Sequence, residues 1–175
     1  MSARSAASIF RRKSMIELAS CFLDRDLFLR MAKDYIDTLA TYDNEILWDE
    51  VTWNGVIWNA KFIVEDRTIQ GFAVTETQRF CFFPDAFYIA EFYIAPEARR
   101  KHIGTEAVKA LTENWNGDLY LYVIDQNTPA RFFWSNVEAE LCWKRIKRPE
   151  LRQEEGCELR VFSTKGGRRK RWMIP

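Results

Sequence analysis

Apolar residues Leu27, Phe28, Met31, Ala32, Tyr35, Ile36 and Leu39 recur at intervals of one helical turn, and Asp24 stands before them as a capping side chain. The spacing predicts a first long helix with a single apolar stripe. Residues 15–19 read as a short strand before it. Residues 60–64 and 69–75 are apolar stretches flanking Glu65-Asp66-Arg67, a turn-forming sequence, and predict an antiparallel hairpin. Between helix and hairpin, residues 41–59 are rich in tryptophan and acids and follow no regular period.

A further strand is predicted after Pro84, over 86–95, and from there the pattern changes. Ile103, Ala107, Ala110, Leu111 and Trp115 mark one face of a helix, and Leu119-Tyr120-Leu121-Tyr122-Val123-Ile124 is an unbroken apolar run. Such a run is the signature of a strand covered on both faces, so a strand, helix, strand crossover with parallel strands is the economical reading. Thr128 is placed to cap the next helix with Pro129 at its first position, where the missing N–H costs nothing. Ala130, Phe133, Trp134 and Val137 share its inner face. Residues 141–146 and 157–163 then close the domain as two strands around a charged loop, 147–156. The sum is one α/β domain over 15–164 with a mixed sheet, flanked by a leader at 1–14 and a tail at 165–175.

Charge changes this picture only at the ends. The 175 residues carry 26 Lys+Arg and 25 Asp+Glu, a nearly balanced total. Four of the bases (Arg4, Arg11, Arg12, Lys13) and five more (Lys165, Arg168, Arg169, Lys170, Arg171) lie in the acid-free ends, leaving 17 bases against all 25 acids, a net −8, in the body. An argument for a cationic substrate therefore belongs to the body and one for a polyanionic partner to the ends. The basic ends suit salt-sensitive, sequence-independent contact with nucleic acid, or serve only as solvated segments; the leader is also compatible with a transit peptide. A composition 47% hydrophobic excludes a disordered chain, and charges interrupt every apolar stretch well before the length a membrane helix needs. Cys21, Cys81, Cys142 and Cys157 are dispersed without a CxxC pair and His102 is the single histidine, so neither a zinc site nor a disulfide framework is expected, in keeping with a cytoplasmic protein.

The chemistry concentrates in Glu91-Phe92-Tyr93-Ile94-Ala95-Pro96-Glu97-Ala98-Arg99-Arg100-Lys101-His102-Ile103-Gly104-Thr105. A strand ends, three cations follow, and a helix begins with unpaired backbone N–H groups and the positive end of its dipole. That combination suits a pyrophosphate; the alternative is a merely solvated basic loop. The order of these features resembles the acetyl-CoA signature of the GNAT superfamily of N-acyltransferases, in which a strand, a Pro and an Arg-x-x-Gly-x-Gly or Gly-x-Ala loop lead into a helix. A second stretch, Asn127-Thr128-Pro129-Ala130-Arg131-Phe132-Phe133-Trp134, resembles that superfamily's Asn-x-x-Ala-x-x-Phe-Tyr element, and the two stand one helix and one strand apart. The closest likeness is to a bacterial subgroup of predicted acetyltransferases.

The resemblance implies a GNAT-like domain: a central mixed, mostly antiparallel sheet, one parallel pair forming the cofactor cleft, and helices on both faces. It implies acetyl-CoA as co-substrate, no metal, and direct attack on the thioester by a small-molecule or peptide amine. Phe92, Tyr93, Ile94, Arg99, Arg100, Lys101, His102, Ile103, Gly104 and Thr105 would bind the cofactor from one side, and Asn127, Ala130, Phe133 and Trp134 from the other. Glu91 is the candidate base, with salt-bridge or edge exposure as its bland alternative, and Tyr42, Trp48 and Trp53 would form an aromatic wall for the acceptor or simply core packing. Two residues depart from the pattern. His102 replaces the first glycine, at a place where positive φ would crowd a side chain against phosphate. Trp134 stands where many members have a tyrosine that protonates the departing thiolate, and an indole N–H cannot do so. These departures motivate the alternative of a catalytically weak acyl-CoA-binding protein. A monomer or a homodimer is compatible with such sheets.

Overall fold

A computed structural model describes residues 15–77, 86–149, 151 and 154–164. The basic leader and tail, Cys81 and Pro84 lie outside the described residues, and with them any reading built on a polyanionic partner. Strand β1 (Ile16–Ser20) leads through a tight 3-10 turn into helix α1 (Arg25–Leu39). Asp24 caps α1 as its position predicts, accepting the Leu27 amide at 3.0 Å, and the apolar stripe buries Phe28, Ala32 and Ile36. The stretch without a period contains a short helix, α2 (Glu50–Val56), started by Asp49, which accepts the Val51 amide at 3.1 Å. Its pattern was unreadable because Val51 stays 80% exposed while Trp53 alone is buried.

The hairpin forms as β2 (Ala60–Glu65) and β3 (Thr68–Thr77), with Asp66 and Arg67 both at positive φ in the turn. Strand β4 (Ala86–Ile94), helix α3 (Ile103–Thr112), strand β5 (Asp118–Ile124) and helix α4 (Thr128–Glu140) follow, and β6 (Lys144–Arg145) and β7 (Cys157–Ser163) complete the sheet. The order across it is β1-β2-β3-β4-β5-β7-β6, antiparallel throughout except for the β4–β5 pair. The mixed sheet and single parallel crossover are those the apolar run at 119–124 predicts. The sixth strand is shorter than the predicted 141–146, because α4 runs to Glu140 and Cys142, at positive φ, turns the chain before pairing begins. The cap of α4 is Asn127, one residue before the predicted Thr128: its Oδ1 accepts the Ala130 amide at 3.0 Å.

Helices cover both faces. Phe28, Tyr35 and Trp53 surround Phe72 of β3 with ring centroids 5.3 to 5.8 Å away, which places α1 and α2 on one face. Val108 of α3 and Trp134 and Val137 of α4 pack on the other, against Phe87, Ile89, Leu119, Leu121 and Phe162. Gly71 of β3 is obligatory at its position, since a Cβ there would lie 2.1 Å from the Tyr93 carbonyl oxygen. Arg160 of β7 fastens α4 from below. It is 3% exposed and donates to Glu158 at 2.8 Å, Ser135 Oγ at 3.2 Å and the Arg131 carbonyl at 3.3 Å.

Candidate active site

The sheet is divided at its one parallel junction. Strands β4 and β5 pair only through Ala86–Asp118, Phe87–Leu119 and Tyr88–Tyr120. Beyond these, β4 stays with β3 and residues 121–124 of β5 stay with β7, so the two halves part. On β4 the divergence coincides with a bulge: Thr75 pairs with Ile89 and Val74 with Glu91, leaving Ala90 as an extra residue. The extra residue resets the alternation of side chains. Tyr88 and Glu91, three apart, thereby share the α1 face with Tyr93, while Phe92 turns to the α3 and α4 face.

Glu91 is half-buried, and Tyr35 of α1 donates its phenolic hydrogen to Oε2 at 2.8 Å. Burial pushes the Glu91 carboxyl from its ordinary value near 4.5 up to about 7, and the Tyr35 bond, which favours the ionised form, only partly opposes this. Tyr35 is held well above its ordinary range, first by burial and then by the Glu91 charge, while a hydrogen bond from the Phe92 amide pulls the other way. The same hydroxyl thus ties α1 to the bulge. Tyr35 went unnoticed in the sequence as a polar group, although a tyrosine on an apolar helical stripe signals a buried acceptor nearby.

Past Ile94 the chain turns through Pro96–Ala98, and Arg99 folds back to donate Nε to the Ile94 carbonyl at 2.8 Å, its guanidinium 5.8 Å from the Tyr93 ring centroid. Arg100 and His102 take φ of 60° and 64°, so His102 occupies a left-handed position of the kind a glycine fills without strain. Its side chain does not cap α3. The first helical bond runs from the Glu106 amide to the His102 carbonyl at 3.1 Å, leaving the amides of Ile103, Gly104 and Thr105 without intrahelical acceptors. Arg100, Lys101 and His102 are exposed around this turn, whereas the side chains of Ile103 and Thr105 point into the core. The combination is an anion seat: three directed amides, a helix dipole and exposed cations.

The seat and the split are joined by aromatic rings. Phe92 stacks on Phe133 with centroids 5.5 Å apart and planes at 15°, and Trp134 meets both edge-on at 5.5 and 5.0 Å. A Cβ on Gly104 would lie 2.8 Å from Phe133 Cε2, so this glycine is required by the ring that leans on the first turn of α3. Trp134 is 6% exposed among core residues of α3, β5 and β7, and Ala130 packs beside it. Asn127 is occupied as the α4 cap. Tyr93 belongs to the opposite face, buried against Tyr35 and Phe72.

The three residues assigned to an acceptor wall separate. Trp53 is a core residue, 6% exposed, and Trp48 stacks on it at 6.2 Å. Tyr42 alone reaches an open surface, a depression where the end of α1 faces the residues after β5 and before β7. The side chains nearest Glu91 on its face are instead Tyr35 and Tyr88. No cluster of three or more His, Cys, Asp or Glu able to hold a metal occurs among the described residues, nor any helix there long and apolar enough to cross a membrane.

A sheet parted at one parallel junction, with unpaired helix amides on one side and a half-buried carboxyl on the other, fits the architecture the acetyltransferase signature implies. The acetyltransferase (GNAT) family matches residues 19–136, more than half of the sequence, and the chain belongs to that family. Its fold is similar to that of diaminobutyrate acetyltransferase from Paenibacillus lautus, solved with L-2,4-diaminobutyric acid and coenzyme A: TM-score 0.62 at 13% identity, over 87% of this chain and 95% of that one. N-acetylglutamate synthase from Neisseria gonorrhoeae, solved with coenzyme A and N-acetyl-glutamate, also gives 0.62 at 13% identity, covering 87% of this chain but 36% of the synthase. A GNAT-family acetyltransferase from Bacillus cereus gives 0.58 at 17% identity, over 87% and 96%. No curated protein matches the sequence.

Proposed function

We propose that the chain is an N-acetyltransferase that moves an acetyl group from acetyl-CoA to an amine by direct attack, with Glu91 as the base. The observation that carries this reading is the parting of β4 from β5, with free amides of α3 at one end and a carboxyl of raised pKa at the other. The residues present fit the cofactor: the amides of Ile103, Gly104 and Thr105, with Arg100 and Lys101 beside them, would hold its diphosphate. When bound, acetyl-CoA supplies the thioester carbon and a thiolate leaving group.

The residues of the chain do the rest. An ammonium has no lone pair, so the acceptor must lose a proton before it attacks. Glu91, poised to about 7, takes that proton near neutral pH, and Tyr35 holds the carboxylate in place while it does so. The acceptor nitrogen then forms the new N–C bond as the C–S bond breaks and gives up its second proton to water or to the departing thiolate, since the Trp134 indole is not an acid of useful strength. His102 is tolerated because its backbone keeps the conformation the turn needs, and its imidazole is exposed beside the seat.

The test is coenzyme A binding to the full chain, followed by thiol release from acetyl-CoA with an amine panel. Saturable binding is expected for the native chain and for Glu91→Gln, with turnover in the variant reduced by roughly 10²-fold or more. Absence of coenzyme A binding would refute the reading. A second reading, a scaffold that binds acyl-CoA but turns it over poorly, is favoured by the Phe92–Phe133 stack across the split and by Trp134 in place of a tyrosine. Binding without amine-dependent thiol release would select it.

A further inference from the structure

The α1 face of the split carries aromatic rings and negative charge together. Tyr88 stacks on Tyr120 with centroids 4.6 Å apart and planes at 8°, and Tyr122 meets Tyr88 edge-on at 6.2 Å. Glu76, the register partner of Tyr88, shares this face, as does Glu91. The Tyr88 phenol is held far above its ordinary range, first by burial and then by the charges of Glu91, Glu154, Tyr122 and Glu76, all acidic groups. Tyrosine faces beside carboxylates are the surroundings in which an ammonium is stabilised.

Glu155, the residue after Glu154, lines an open depression of about 650 Å³ between the segment that follows α1 and the segments that follow β5 and precede β7. One wall follows α1, which packs on β3, and the other belongs to the ends of β5 and β7. Tyr42, Asp43, Glu45, Gln126, Glu155 and Gly156 line it, with three carboxylates and no Lys, Arg or His among all its lining residues. Asp43 Oδ1 also accepts the Glu45 amide at 3.0 Å. The neighbouring Cys157 thiol is raised by burial first and then by the charges of Glu154, Asp125 and Asp43.

Resting on the site proposed above, we infer that the acceptor is an alkyl di- or polyamine, one nitrogen presented to Glu91 and a second, protonated one held over the carboxylate-lined depression. Tyr35 and Tyr88 flank the reacting amine. The same potential repels an acceptor whose second group is a carboxylate, so amino acids are selected against.

The test uses the full chain, acetyl-CoA and four acceptors: 1,4-diaminobutane, spermidine, n-butylamine and 4-aminobutanoate, read as thiol release. The expected order in kcat/KM places both polyamines at least about tenfold above n-butylamine, and n-butylamine above 4-aminobutanoate, with the gaps shrinking as salt rises. Asp43→Asn combined with Glu155→Gln is expected to raise KM for the diamine several-fold and so narrow its lead over the monoamine. Equal kcat/KM for the diamine and n-butylamine, or preference for 4-aminobutanoate, overturns the inference; if Glu91→Gln still abolishes turnover in that case, the site itself stands. Turnover with none of the four also overturns it, and coenzyme A binding, measured separately, then reports on the site.

Discussion

The carboxyl of Glu91 is the base of the proposed mechanism, and its burial has a consequence that can be measured without knowing any substrate. Its pKa stands at about 7 in the folded chain against an ordinary value near 4.5. The folded protein therefore holds this proton more tightly than the unfolded chain does, and ionising the group costs stability. The cost is absent below about pH 4.5, grows between there and pH 7, and is constant above. At 1.36 kcal/mol per pKa unit it amounts to roughly 3.4 kcal/mol at pH 8. Glu91→Gln removes the charge while leaving an oxygen to accept from Tyr35 at the position now bonded at 2.8 Å. The variant should melt within a degree or two of the native chain at pH 5. At pH 8 it should melt higher by about 7–14 °C, taking about 2–4 °C per kcal/mol for a domain of this size. Paired thermal melts followed by circular dichroism at the two pH values, at equal ionic strength, read the difference. A gap that does not widen with pH, or a variant less stable at pH 8, would refute a buried, charge-penalised Glu91.

Tyr35→Phe removes a hydrogen bond to the ionised carboxyl worth about 1.5 kcal/mol, so Glu91 should titrate about one unit higher, and the rising limb of kcat/KM against pH should move up by that amount. An unmoved limb would mean that the bond does not tune the base. Gly104→Ala should destabilise by about 1 kcal/mol despite the better helix propensity of alanine, because its Cβ would stand 2.8 Å from Phe133 Cε2, and Phe133→Leu in the same chain should restore stability in denaturant titration. Asn127→Ala strips the cap of α4 and should cost about 1 kcal/mol in the same assay, with Asn127→Asp close to native.

The sequence made the frame readable wherever one local period ruled. The stripe from Leu27 to Leu39 and the apolar run from Leu119 to Ile124 each report burial along a single element, and both formed as expected. The strand end at Ile94 and the start of α3 were legible too, because a proline, three cations and a new apolar period are contiguous in the chain. What local pattern does not carry is the meeting of distant residues. Tyr35 and Glu91 lie 56 positions apart, and their bond depends on how α1 sits across β3 and β4. Trp48 and Trp53 misled for the same reason. An aromatic in an irregular acidic stretch has equal reason to line a mouth or fill a core, and only the packing of α2 on Phe72 decides for the core.

The bulge at Ala90 places the bend of β4 at the mercy of one codon. A strand counts in twos, so deleting that residue would set Ile89 beside Glu91 with every pairing to β3 unchanged: Tyr88, Glu91 and Tyr93 would keep their side, and only the bend and extra twist of the bulge would go. A deletion that short leaves composition, hydropathy and both signature motifs intact, and it would still straighten β4 at the point where that strand parts from β5.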